Sequence, residues 1–313
     1  MPENAGGSER GPKGAPVVFE SPLYPFRSNF HRLPDGLRLH YLDEGAAHAA
    51  PVVMVHGNPT WSFYYREMVR GLSDRHRCLV PDHVGMGLSD RPDDKRYAFT
   101  LARRIEDFGH WLDAVEPSRP LDLIVHDWGG AIGIGWAARN PDRVRRLVVL
   151  NTWAFNIPEG EGLPASLKFA RTRLGGFLIN RFNAFSGLAV RMATASRLER
   201  EVASGLVAPY RGSPLERLAT LRFVQDIPLS ESDPAWSVLS ETESRLSSLA
   251  DKPILIAWGG RDFVFDDRVL AIWREIWPSA RVEYLADAGH YVLEDAADRI
   301  VPMARDFLAG DGQ

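Results

Sequence analysis

Apolar residues alternate between two spacings along this chain. Short segments at 52–55, 77–80, 121–125, 144–150, 254–258 and 282–285 have the length of strands; 52–55 is continuously apolar and 121–125 largely so. Unbroken rather than alternating hydrophobicity is what a parallel sheet covered on both faces requires. Between these runs a 3.6-residue spacing predicts helices. The stretch 100–115 puts Leu101, Ile105, Phe108, Trp111, Leu112 and Val115 on one side, and 65–72, 129–140, 266–276 and 292–309 are read as helices too. Two further runs, 28–32 and 37–43, are joined by Pro34-Asp35-Gly36 and predict an antiparallel hairpin. The alternation stops at Asn151. From there to about residue 245 only helix-like pieces occur, at 164–180, 187–196, 197–207 and 214–224. Strands on both sides of a helical insertion predict one α/β domain: a mostly parallel eight-stranded sheet formed by 17–150 and 246–313, with helices on both faces. Residues 151–245 are then expected to form a helical cap over the strand ends, where ligands of such sheets bind. Residues 1–16, rich in Gly, Pro and charge, are expected to be a disordered tail.

Composition narrows the partners. A formal net charge of −4 argues against nucleic acid or an anionic membrane as the main partner. No window approaches the ~18 apolar residues of a membrane span. The single cysteine, Cys78, cannot build a disulfide framework and fits a reducing compartment, so a cytoplasmic location is expected. The chain has no H-E-x-x-H helix, Walker loop or dinucleotide fingerprint, and neither metal nor organic cofactor is expected.

Candidate chemistry collects on the loops that follow predicted strands. Val125-His126-Asp127-Trp128-Gly129-Gly130 joins a buried strand to a small-residue helix through one aspartate. A carboxylate at such a sharp turn is already ionised near neutral pH and needs no base before it attacks. His290 lies after the last strand, in Asp287-Ala288-Gly289-His290-Tyr291, and is the candidate base. Its orienting acid could come from two strand ends. Asn151-Thr152-Trp153-Ala154 offers no carboxylate, whereas Gly259-Gly260-Arg261-Asp262 does, so Asp262 is the expected partner. The loop His56-Gly57-Asn58-Pro59-Thr60-Trp61 follows the third strand. Backbone N–H groups of Asn58 and Trp128 are placed to form an oxyanion hole, and the Asn58 amide and Trp128 indole can hold a departing anion. Phe155, Phe182, Phe185, Leu246, Phe263, Tyr291 and Pro209 are candidate pocket residues.

On these motifs the chain, over roughly residues 26–309, resembles the haloalkane dehalogenases of the α/β-hydrolase superfamily. The similarity is strongest around Asn58, Asp127, Asp262 and His290, and is to the subgroup that combines an Asp acid with Asn and Trp halide donors. The resemblance implies an α/β-hydrolase fold and an SN2 displacement of halide by Asp127. The resulting alkyl–enzyme ester would then be hydrolysed by water that His290 activates. It implies a small apolar halogenated substrate, halide and water as partners, with no nucleic acid, membrane or cofactor; the sequence sets no oligomeric state. An epoxide hydrolase using the same Asp-His-Asp triad is the alternative, but between residues 151 and 245 only Tyr210 offers a phenol to protonate the opening oxygen.

Overall fold

A computed structural model describes residues 19–157, 169 and 171–310; the tail expected at 1–16 and most of the first part of the helix expected at 164–180 lie outside the described residues. One eight-stranded sheet forms, built from β1 (Asn29–Arg32), β2 (Arg38–Glu44), β3 (Ala50–Val55), β4 (His76–Pro81), β5 (Leu121–Asp127), β6 (Val144–Thr152), β7 (Ile254–Gly259) and β8 (Arg281–Leu285). Their spatial order is β1-β2-β4-β3-β5-β6-β7-β8. The hairpin β1–β2 and its pairing with β4 are antiparallel, and every later pairing is parallel. Every residue of β5 and β7 is buried, which is why both strands are largely apolar; buried Asp122 of β5 is paired with Arg145.

Parallel strands need crossovers, and helices α1 (Arg66–Leu72), α2 (Leu101–Val115), α3 (Trp128–Ala137), α9 (Asp267–Ile276) and α10 (Val292–Ala309) belong to the sheet-bearing part of the chain. Thr100 caps α2 by accepting the Arg103 N–H, and Asp266 caps α9 by accepting that of Arg268. Between β6 and β7 lie α4 (Arg173–Phe182), α5 (Ala184–Met192), α6 (Arg200–Val207), α7 (Leu218–Gln225) and α8 (Pro234–Ser244). Helix α8 has no counterpart among the helices the apolar spacing predicts. Its polar run PAWSVLSETES buries only Ala235, Leu239 and Thr242, although Asp233-Pro234 is a start signal. Asn183, in the left-handed region at φ 53°, ends α4 and begins α5 three residues earlier than the apolar spacing suggested. No helix among the described residues is long and apolar enough to cross a membrane.

The helices after β6 meet the loops that leave the sheet. The Trp61 indole donates to Gly205 O (3.1 Å), the Asn58 amide donates to Thr220 O (3.1 Å), and Phe223 packs on the rings of His83 and Trp128.

Candidate active site

Asp127 is the last residue of β5 and sits at φ 52°, ψ −128°. That conformation costs a non-glycine residue about 1–3 kcal/mol and persists only where its surroundings hold it. Here the Thr152 hydroxyl donates to Asp127 O, and the Asn58 backbone N–H donates to Oδ1 at 2.6 Å. The turn is tight enough that a Cβ on Gly129 would lie 1.9 Å from Val55 O, and one on Gly57 would lie 2.1 Å from Asp127 Oδ1. Gly129 thus lets α3 start against β3, and Gly57 leaves room for the carboxylate. Because a backbone oxygen cannot yield as a side chain can, Gly129→Ala is expected to destabilise the fold by about 3 kcal/mol or more. A thermal melt tests this: Tm should fall by ~5 °C or more, and an unchanged Tm would contradict the packing described.

His290, from the loop after β8, places Nε2 3.5 Å from Asp127 Oδ2 and Nδ1 2.8 Å from Asp262 Oδ2. Asp262 follows β7, and its other oxygen accepts the Val264 N–H at 2.6 Å. The structure therefore brings Asp127, His290 and Asp262 into one line, hydrogen-bonded between His290 and Asp262 and in ion-pair contact between His290 and Asp127. Two residues not singled out by motif hold that line. Asn151, at the end of β6 and at φ 28°, donates to Asp262 Oδ2 (3.0 Å) and also bridges Gly259, accepting its N–H at 2.7 Å and donating to its carbonyl at 3.1 Å. His126, beside Asp127 in sequence, meets the His290 carbonyl through Nε2 at 2.8 Å. Burial, reinforced by the nearby His290 charge, lowers His126 to about 3, so it is neutral and serves the loop that carries His290.

The charges follow from this geometry. Burial works against a charged His290, yet Asp262 and Asp127 together raise it to about 10. Burial likewise works against ionised Asp127, but the His290 contact and the Asn58 N–H hold its carboxyl below the ordinary range. The resting site is a carboxylate–imidazolium–carboxylate array. Unfolded, His290 would titrate near about 6.5. Its ion pairs therefore stabilise the fold fully below about 6.5, and that contribution is lost as pH rises towards about 10. Across this window the wild-type Tm should fall more steeply than that of His290→Gln; parallel slopes would contradict the array.

Two donor-bearing residues flank Asp127, Asn58 through its backbone N–H and Trp128 as its neighbour in the chain. The Asn58 amide is buried, with Nδ2 fixed by Thr220 O and Oδ1 left without a donor among the described residues. Since an amide nitrogen carries two hydrogens, the second remains for a ligand. The Trp128 ring is wedged edge-on between Trp153 and Phe223, at 5.0 and 5.1 Å between centroids. Phe223 is in turn covered by the Arg104 guanidinium, 3.6 Å from its ring centre.

Of the expected pocket residues, Tyr291 is buried with its ring 5.7 Å from that of His290. Pro209 is buried in a short 3-10 turn, its carbonyl accepting from Arg91. Phe155 is buried and packs on Trp273 of α9. Leu246 is buried with its carbonyl accepting from the Trp277 indole. Phe263 is 41% exposed and turns to solvent, while Phe265, two residues on, stacks on Trp153 and lies 5.7 Å from the His290 ring. Phe185 is half-buried against Ile179, Leu221 and Val224. The Phe182 side chain lies outside the described residues. Among the described residues no group of three or more His, Cys, Asp or Glu side chains could hold a metal ion.

The fold has relatives among known proteins. The family model described as the alpha/beta hydrolase fold matches residues 50–297. A cis-3-alkyl-4-alkyloxetan-2-one decarboxylase of Shewanella oneidensis is 47% identical over 288 residues, 91% of this chain and 89% of the relative. Haloalkane dehalogenase 2 of Mycobacterium bovis is 33% identical, over 89% of this chain and 93% of the relative. The crystal structure of a haloalkane dehalogenase from Agrobacterium tumefaciens C58 superposes with a TM-score of 0.79 at 26% identity, covering 90% of this chain and 97% of that one.

Proposed function

The chain belongs to the α/β-hydrolase family, and from that premise we propose that it is a decarboxylase of cis-3-alkyl-4-alkyloxetan-2-ones, four-membered lactones bearing two alkyl chains. The observation that carries the proposal is the 47% identity to the Shewanella oneidensis enzyme of that name across nine-tenths of the chain. The charge state of the site supports it. An imidazolium clamped between two carboxylates can stabilise negative charge but cannot accept a proton, and this reaction moves no proton.

The bond changes balance without water or a co-reactant. Asp127 attacks ring carbon C4 in line with the C4–O1 bond, which breaks and leaves its electron pair on O1. The opened ring is an alkyl ester of Asp127 with a carboxylate on C3. The Asn58 amide and the Trp128 indole hold that carboxylate through charge-assisted hydrogen bonds. In-line attack inverts C4, so the new C4–O bond lies anti to the C3–C2 bond. The C3–C2 electron pair then forms the C3=C4 double bond, C2 departs as carbon dioxide, and the C4–O pair returns to Asp127. Inversion followed by anti elimination turns a cis lactone into a cis alkene. Attack at C2 instead would leave an alkoxide on C4 that needs a proton, and an acyl–enzyme with no route to carbon dioxide.

Haloalkane hydrolysis is the second reading, favoured by the 33% identity to the Mycobacterium bovis dehalogenase. It uses the same nucleophile and the same two donors. Alkylation would remove the Asp127 charge, one of the two that raise His290, so the imidazole could then deprotonate and activate water. Epoxide opening is less well supported, since the Tyr210 hydroxyl donates to Thr60 O (3.1 Å).

Product analysis separates these readings. With a cis-3,4-dialkyloxetan-2-one the proposal expects cis alkene and carbon dioxide in equal amounts, faster than bromide release from 1-bromobutane. A 3-hydroxy acid as the main product, or rapid bromide release with an inert lactone, would overturn it.

A further inference from the structure

Helix α7 touches both candidate anion donors and is itself held at its end by a buried ion pair. Its Thr220 carbonyl accepts one hydrogen of the Asn58 amide at 3.1 Å, and its Phe223 ring meets Trp128 edge-on, 5.1 Å between centroids. Asp226, at the C-terminal end of the helix, reaches across to α2. Its Oδ2 accepts the Leu101 N–H at 2.6 Å and lies 3.7 Å from Arg104 Nη1. The Leu101 N–H is one of those that the first turn of α2 cannot satisfy internally, and negative charge is favoured at that end. Positions 220, 223 and 226 share one side of the helix because residues three apart are neighbours on its surface.

Arg104 supplies a second, independent observation. Its side chain is buried, and none of its three nitrogens has a hydrogen-bond acceptor among the described residues. Its neighbours are the Phe223 ring, centred 3.6 Å from the guanidinium carbon, the Phe99 ring at 5.9 Å, and Asp226. Burying a guanidinium without hydrogen bonds is costly, and a well-packed apolar side chain would join α7 to α2 at least as firmly. Holding the two helices together therefore does not account for the charge. Attraction between the cation and the ring fixes Phe223, and the ion pair fixes the end of the helix that carries it.

We propose that Arg104 and Asp226 are positioning residues, a buried latch that sets Asn58 and Trp128, through helix α7, to receive the negative charge of the leaving group. Loosening the latch frees the carbonyl that aims the Asn58 amide and the ring that wedges the Trp128 indole. These donors act as charge develops, so their misplacement lowers kcat and spares KM. The proposal rests on Asn58 and Trp128 as anion donors, a role common to the lactone and the haloalkane readings. Burial raises the Asp226 carboxyl to about 6, opposed by Arg104 and the Leu101 N–H of α2 and by Arg171, with Asp233 adding to the rise. The carboxyl is ionised above that pH and loses its charge, and the ion pair, as pH falls through it. In the triad, His290 titrates near about 10 and Asp127 below the ordinary carboxylate range, so neither masks that step.

Steady-state kinetics of Arg104→Met, Asp226→Asn and the double variant, with a cis-3,4-dialkyloxetan-2-one and with 1-bromobutane, test the latch. Methionine fills the volume without the charge. Asparagine keeps an acceptor for the Leu101 N–H, so Asp226→Asn carries the test if Arg104→Met does not fold. On whichever substrate the wild type turns over, each single variant should lower kcat by about tenfold or more and leave KM within about threefold. The double variant should be no slower than the slower single one, since both changes break one unit. Wild-type kcat should fall towards the Asp226→Asn value as pH drops through about 6, and that variant should show no such step. A chain that releases bromide and leaves the lactone intact overturns the lactone reading alone, because the same donors serve both substrates. Folded variants with wild-type kcat, a loss confined to KM, or an Asp226→Asn profile that keeps the acid step overturns the latch.

Discussion

Asp127→Ala is expected to lower kcat/KM for the cis lactone by at least about 10⁴-fold, measured as alkene formed. Asp127 is the carboxylate of the site that is presented on a strained turn and ionised against burial. Neither His290 nor Asp262 can replace it, since Asp262 is already bonded to Asn151, Val264 and His290. Alanine also has to adopt φ 52° there, so Asp127→Asn is the companion variant that keeps shape and removes charge. It should lose activity to a similar degree while Tm shows both proteins folded. Residual activity above about one per cent in both folded variants would mean that another group attacks carbon.

His290→Ala should divide the two substrates. With a haloalkane, the proposed second half-reaction needs a base, so the variant should release about one equivalent of bromide and then stop with Asp127 alkylated. With the lactone, the ester carries its own exit: the C3 carboxylate leaves as carbon dioxide and frees Asp127. Turnover should therefore continue, slowed by about 10²-fold through loss of the imidazolium that steadies Asp127. Counting product per active site settles this. A variant that stalls after one turnover of lactone would show that His290 is needed as a base after all, and would favour a hydrolytic route.

The sheet could be read from sequence because burial on both faces makes the central strands largely apolar over short lengths, and each segment read as a strand is one in the structure. The elbow at Asp127 was legible for a related reason: a buried strand and a small-residue helix leave one polar residue between them. Asn151 was used only to exclude an acid, yet it holds Asp262 across 111 positions of sequence. Its role arises because β6 and β7 are neighbours, and pairing is set by topology rather than by local pattern. His126 was hidden in the same way, its partner lying on a loop 164 residues away. In the pocket, the turn after Asp262 decides that Phe263 faces out and Phe265 faces in, and composition offers no sign of that choice. Substrate class is harder still. A halide and a ring carboxylate are both weakly basic leaving groups, so Asp127, Asn58 and Trp128 present the same motif to either.

The central claim is that Asp127 bonds to an alkyl carbon of the lactone and is freed by loss of carbon dioxide rather than by water. Rapid acid quench of enzyme mixed with a cis-3,4-dialkyloxetan-2-one, followed by mass analysis of the peptide that contains Asp127, tests it most directly. The account predicts a transient gain of the whole lactone mass on Asp127, stable to brief treatment with neutral hydroxylamine as an alkyl ester is and a mixed anhydride is not, that decays as cis alkene appears. An adduct that neutral hydroxylamine rapidly converts to a hydroxamate, or alkene formed with Asp127 never modified, would contradict it.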